Sequence, residues 1–193
     1  MRIVAGEFRG RRLEAPKGEG TRPTTDRVRE AVFSALSSIA GPGLGGGAAL
    51  DAFAGTGALG LEALSRGIDS VTFVERDRAA LASIRRNIET LGVGGRTQVV
   101  VGDALACAAK ASLPGGPFSL LLLDPPYRLD ADEVATMISQ LVAHDLLGDE
   151  ALIVLERASG TQVIWPAGVS LLTEKRYGTT AVDIAVYDGG EGS

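Results

Sequence analysis

Apolar and polar residues follow one another in this chain with two different rhythms. From Ile3 to Leu13 the stretch IVAGEFRGRRL alternates loosely, with Gly6 and Gly10 as bend points, and predicts a short twisted hairpin. TRPTTDRVREAVFSALSSI then changes to a helical period, with Val28, Val32, Leu36 and Ile39 on one stripe. Thr25 is placed to cap that helix and Asp26 to sit in its first turn. Arg22, Arg27 and Arg29 are left at its start or on its polar face. GPGLGGG, Gly41 to Gly47, breaks the period and predicts a flexible connector.

Beyond the connector, strand-like and helix-like runs take turns. Ala48 to Phe53 predicts a strand, Gly57 to about Arg66 a helix, and SVTFVE a second strand. RAALASIRRNIETLG reads as an amphipathic helix ending at Gly92, followed by the strand TQVVV and a short alanine-rich helix. FSLLLL (Phe118 to Leu123) is a fourth strand, Ala131 to about Leu146 a helix, and ALIVLE a fifth strand. VSLLTEKRYG and TTAVDIAVYD then pair as an antiparallel hairpin. Repeated βα units imply an α/β fold, a mostly parallel sheet with helices on both faces. The expected organisation is a basic hairpin-and-helix extension over 1–47, one domain over 48–188, and a frayed tail at 189–193.

Ligands of such open sheets bind beyond the carboxyl ends of the strands, where strand order reverses. Directly after the first strand, DAFAGTGALG holds Gly55, Gly57 and Gly60 in a G-x-G-x-x-G spacing, which fits a dinucleotide site, an S-adenosylmethionine (SAM) site or a tight packed turn. Glu75 ends the second strand, with a carboxylate able to accept both hydroxyls of a ribose. Asp51 discriminates, because it sets a carboxylate beside the glycine turn where a dinucleotide would bring its pyrophosphate. An ammonium and a sulfonium are favoured there instead. Asp103 adds an acceptor suited to an adenine amino group, and Asp124 a fourth strand-end acid.

Charge and composition narrow the classes further. The net charge of −5 is unevenly spread: residues 1–30 hold eight Lys and Arg against five acids, leaving eleven against nineteen for the remainder. A basic arm on an acidic body suits contact with phosphates. The single cysteine, Cys107, excludes an internal disulfide, and one Cys with one His, His144, gives no zinc spacing. With no signal-peptide core and no apolar run of membrane-spanning length, the expectation is a cytoplasmic, metal-independent protein.

The fourth strand ends in DPPYR, Asp124 to Arg128, an unusually stiff and polar stop for a buried strand. DAFAGTGALG, VERD, GDA and DPPY in this order resemble the class I SAM-dependent methyltransferases, and DPPY resembles their motif for methylating exocyclic amino groups. RIVAGEFRGRRLEAP, TRPTTDRVREAVFSAL and LDAFAGTGALGLEALSRG are similar to the RsmD family, bacterial methyltransferases of guanine N2 in small-subunit ribosomal RNA; the resemblance covers residues 2 to about 157. It implies a Rossmann-like seven-stranded sheet, with residues 48–188 as the catalytic domain. It implies cofactor contacts from Asp51, Phe53, Ala54, Gly55, Thr56, Gly57, Glu75, Arg76, Asp103 and Ala104, and catalysis by Asp124, Pro125, Pro126 and Tyr127. RNA contacts are implied for Arg9, Arg11, Arg12, Arg22, Arg27 and Arg29. The implied partner is 16S ribosomal RNA, within a 30S subunit or an assembly intermediate, for a monomeric enzyme without metal.

The guanine N2 lone pair is delocalised into the ring, so the amine needs its protons held by acceptors. Two consecutive prolines fix the turn, aim the Pro125 carbonyl, and leave Asp124 to accept the second N–H or to take the proton. Tyr127 offers a stacking face for an unstacked base. A DNA amino-methyltransferase acting on adenine or cytosine shares this logic, but only about 45 residues precede the core, too few for a target-reading domain. A silent SAM-binding ribosome-assembly factor is the third reading, against which the intact strand-end acids and DPPY argue. An NAD dehydrogenase fails on Asp51 and on the lack of a hydride-handling residue. His144 reads as a surface or capping residue, Trp165 as rim packing, and Cys107 as buried and inert.

Overall fold

The computed structural model describes residues 1–15, 26–126 and 128–189. The expected Thr25 cap, Arg22, Tyr127 and residues 190–193 of the tail lie outside them.

Five parallel strands and a C-terminal antiparallel pair form one sheet. Strands β1 (Ala48–Asp51), β2 (Ser70–Glu75), β3 (Thr97–Val101), β4 (Phe118–Leu123), β5 (Leu147–Ala158), β6 (Val169–Tyr177) and β7 (Thr180–Tyr187) lie in the order β3-β2-β1-β4-β5-β7-β6. β7 inserts antiparallel between β5 and β6, and its pairing as far as Ala158 with Thr180 extends β5 past the expected ALIVLE. The helices are α1 (Asp26–Ala40), α2 (Ala58–Ser65), α3 (Arg78–Leu91), α4 (Ala104–Ala109) and α5 (Ala131–Ala143).

The helices divide between the two faces. Leu120 and Leu122 of β4 pack with side chains of α1, α2 and α3, whereas Leu121 and Leu123 pack with α4 and α5. The unbroken apolar run of FSLLLL is the consequence of burial on both sides. β1 has β2 on one side and β4 on the other, so strand order reverses there and a crevice opens at the carboxyl ends of β1 and β4.

Local sequence fixes the helix ends. Asp77 caps α3 by accepting from the Ala80 amide at 2.9 Å, and Gly92 closes it in the left-handed conformation at φ 72°. Asp130 and Glu133 form a capping box on α5, which stops at Ala143 before His144 and the positive φ of Asp145.

The N-terminal region meets expectation in part. Residues 1–13 form a short irregular hairpin without regular strands: Arg2 bridges Arg12 antiparallel, and Leu13 N–H donates to Met1 O at 3.1 Å, Ile3 N–H to Arg11 O at 3.0 Å and Gly10 N–H to Ile3 O at 2.9 Å. The amides between these pairs turn to α2, where the Glu62 carboxylate accepts from Val4 and Ala5 at 2.8 and 3.1 Å and Ser65 Oγ accepts from Phe8 at 2.9 Å. GPGLGGG is no loose connector: Pro42–Gly45 is a short 3₁₀ turn whose Leu44 is buried in the same apolar cluster as Ile3, Leu13 and Leu36. On α1, Ile39 is 43% exposed, and Phe33 and Ala35 take the buried face together with Val32 and Leu36.

Candidate functional site

The turn between β1 and α2 opens at the crevice. It is tied to the sheet by the Ala52 amide to Leu122 O and the Ala54 amide to Val74 O, both 3.1 Å, and to itself by Gly57 N–H to Ala54 O at 2.7 Å. Gly55 and Gly57 have φ of 54° and 76°. A Cβ on Gly60 would sit 2.5 Å from Phe73 Cε1 and one on Gly57 3.3 Å from it, so both serve the packing of α2 on β2. A Cβ on Gly55 would meet nothing within 4 Å. Gly55 therefore faces open space, and its bare backbone is the part of the turn free to receive a ligand.

Acids surround this opening, each already partly engaged. Glu75 organises the turn: Oε2 accepts from Gly55 N–H at 2.8 Å, and Oε1 from the amides of Arg76 and Asp77 at 2.7 and 2.8 Å. Oε2 keeps one acceptor position, room for one ribose hydroxyl rather than two. Asp103 caps α4 through the Ala106 amide at 3.1 Å and pairs with Arg76 Nη1 at 2.8 Å, which presents Asp103 beside Arg76 at the rim. Phe53 and Thr56 are half-buried, Ala54 and Ala104 buried.

Asp51 lies deepest, 1% exposed beneath the turn. Its Oδ2 accepts from Gly60 N–H at 2.9 Å, while Oδ1 is buried without a partner. Burial pushes its pKa up to about 7; the Gly60 N–H opposes that rise and the charge of Glu75 adds to it. A buried carboxylate with an unsatisfied oxygen beside an open glycine turn is suited to a cationic group and poorly suited to a phosphate. The donor set thus fits SAM, whose ammonium and sulfonium are positive.

Asp51 pairs laterally with Leu122, so Asp124 follows on the neighbouring strand, about 7 Å further along at ~3.3 Å per residue. Asp124 and Pro125 are half-buried and Pro126 is exposed. The Pro126 carbonyl accepts from Leu129 N–H at 2.8 Å and closes the turn. Beside it a cleft is lined by Pro125, Pro126, Leu129, Val134 and Arg157. Asp183 and Glu174 hold that arginine, at 2.7 Å from Nε to Asp183, and the hydrogen bond to Asp183 raises its pKa.

The arginines expected at RNA divide. Arg9, Arg11, Arg12 and Arg27 are exposed, and Arg2, Arg9 and Arg27 line a groove between the N-terminal loop and α1. Arg29 is a correction: it is 0% exposed, pairs with Asp26 at 2.8 Å and Glu62 at 3.6 Å, and donates to Arg2 O. Its charge is matched inside the fold by Asp26 and Glu62, and the same guanidinium holds the loop through Arg2 O. Sequence reasoning missed two structural side chains, Glu62 and Asn87, both buried. The signal was present: a lone acid in ALGLEALS, and an amide at Asn87 on the stripe of Ala80, Ile84 and Leu91. Among the described residues no group of three or more His, Cys, Asp or Glu is arranged for a metal, and no helix is long and apolar enough to cross a membrane.

Strand order, the acid-ringed glycine turn and the adjacent DPP turn together define a class I methyltransferase. Residues 1–186 match the family described as Conserved hypothetical protein 95. The chain belongs to this family, the RsmD family. Ribosomal RNA small subunit methyltransferase D of Escherichia coli K12 is 40% identical over 183 residues, 94% of this chain and 87% of that one. The protein of the same name from Haemophilus influenzae is 36% identical over 178 residues, 92% and 89% of the two chains. The solved structure of yhhF from Escherichia coli superposes with a TM-score of 0.80 at 34% identity, with 98% of each chain covered.

Proposed function

We propose that this protein is a SAM-dependent methyltransferase of the exocyclic N2 of a guanine in 16S ribosomal RNA. The observation that carries the reading is the placement of the DPP turn one strand from an acid-ringed, phosphate-averse glycine turn. The names of the relatives supply the RNA class. Asp51 and Asp103 favour the positive cofactor and its adenine, Glu75 takes a ribose hydroxyl, and Gly55 gives backbone access. Bound SAM supplies an electrophilic methyl carbon on a sulfonium.

Asp124 and the Pro125 carbonyl accept the two N–H groups of the guanine amine, which turns its lone pair out of the ring plane and toward that carbon, and the Asp124 carboxylate takes the proton the nitrogen gives up as it gains the methyl group. Two linked prolines keep both acceptors fixed, so little orientation entropy is lost when the base arrives. Tyr127, by its place in the motif, stacks on the extruded base. Residues 1–47 serve as the RNA-docking extension of the catalytic part, 48–188, with Arg9, Arg11, Arg12, Arg22 and Arg27 on phosphates. The substrate is a 30S subunit or assembly intermediate in the cytoplasm, and the enzyme acts as a monomer.

Asp124→Ala tests the chemistry. It is expected to lower methyl transfer by at least about a hundredfold, while the Kd for SAM measured by calorimetry stays within about twofold of the parent. Full turnover by Asp124→Ala overturns the assigned role.

A further inference from the structure

Asn87 is 1% exposed on α3 and makes three hydrogen bonds to two segments remote in sequence. Its Oδ1 accepts from Glu14 N–H at 2.8 Å, and its Nδ2 donates to Glu14 O and to Thr56 O, each at 3.0 Å. Both amide protons are used, and the opposite orientation of the group would set oxygen against two carbonyls, so the network admits one orientation. Thr56 lies between the two positive-φ glycines of the turn, Gly55 and Gly57. Its carbonyl is thus anchored by a residue of α3. Glu14 belongs to the strap that follows the arginine-bearing loop, which is fastened alongside by Arg11 to Thr90 O and Arg86 to Glu14, each at 2.6 Å.

We propose that Asn87 is a positioning residue that joins the cofactor turn to the RNA-docking strap, so that the Thr56 peptide keeps its ligand-ready orientation only while the strap is seated. This rests on the proposed SAM-dependent reading. A peptide flanked by two left-handed glycines has few intrinsic restraints, and the fixed amide supplies one from each side at once. Cofactor affinity and RNA docking then share a side chain that contacts neither ligand.

Two variants separate this from a merely structural role. Asn87→Asp is isosteric and retains the acceptor for Glu14 N–H while losing both donors; Asn87→Leu removes all three bonds. In the ligand-free protein, amide hydrogen exchange over residues 54–58 is expected to quicken in both variants. The Kd and KM for SAM are expected to rise about tenfold, with kcat at saturating SAM within about twofold. Asn87→Leu is further expected to raise KM for the RNA substrate severalfold. A purely structural role lowers the melting temperature and the active fraction and leaves exchange over 54–58 and SAM affinity as in the parent; that result in either folded variant overturns the inference. An unchanged KM for RNA in Asn87→Leu overturns the link to the strap. If the parent protein itself has no affinity for SAM, the functional reading falls first; if it binds and both variants bind equally well, the inference alone falls.

Discussion

Asp51 shows how one buried atom ties the cofactor class to pH. Its pKa of about 7 in the folded chain exceeds the reference 3.8, so between those values the native state holds a proton that the unfolded chain has released. Stability contributed by that proton is present at low pH and is lost as pH rises toward 7, with a slope of ~1.4 kcal/mol per pH unit at most. Asp51→Asn removes the titration, and its urea midpoint is expected to fall less than that of the parent between about pH 5 and 7. A cationic ligand beside the carboxylate favours ionisation. SAM binding is therefore expected to tighten as pH rises to about 7 and to release protons, read by calorimetry in buffers of different ionisation enthalpy. Parallel profiles for parent and Asp51→Asn would remove Asp51 from the account. An acid at this strand end was legible from the sequence; its depth was not, because burial beneath the turn depends on how α2 packs on β2.

Among the secondary-structure elements, α2 and its preceding turn separate packing from ligand access. Gly60→Ala would drive a methyl into Phe73 and Val71 and is expected to cost about 1–3 kcal/mol of unfolding free energy. Gly55→Ala meets no neighbour, so its cost is limited to about 1 kcal/mol of backbone strain at φ 54°, while SAM affinity drops. Denaturant melts and SAM titrations of the pair check both halves. α1 offers a matching contrast. Arg29→Ala breaks a buried ionic cluster and is expected to lower stability by roughly 3 kcal/mol. Arg27→Ala should leave the denaturation midpoint unchanged and raise KM for RNA. Both arginines were expected at the helix start or on its polar face, yet only Arg27 lies across from the Val32 stripe; Arg29, three residues before Val32 and seven before Leu36, falls on its flank. Glu62, 33 positions after Arg29, is the buried partner that local sequence does not reveal. The N-terminal hairpin was legible from its alternation, but its docking on α2 was not: the amides of Val4, Ala5 and Phe8 find Glu62 and Ser65, partners that local alternation does not encode. The central strands β1, β2 and β4 were legible because burial on both faces leaves apolar runs, whereas β3 and β6, much more exposed, were placed by the βα alternation and by the closing hairpin.

The molecule as a whole brings a basic N-terminal segment, +3 over residues 1–30, to an otherwise acidic chain. The same segment supplies Ile3 and Leu13 to the core and exposed arginines to the groove, so RNA docking and folding draw on one stretch. Strand order places the glycine turn and the DPP turn on adjacent strands, β1 and β4, whose ends the fold brings together from positions more than sixty residues apart. The junction of β1 and β4 is proposed to methylate guanine N2 in small-subunit RNA. The deciding measurement is transfer of labelled methyl from SAM to 30S particles lacking the modification, to free 16S RNA and to duplex DNA, followed by nucleoside digestion. Label is expected in N2-methylguanosine from the RNA substrates and none from DNA. Label in an adenine or cytosine nucleoside, or SAM binding with no transfer to any of the three, would contradict it.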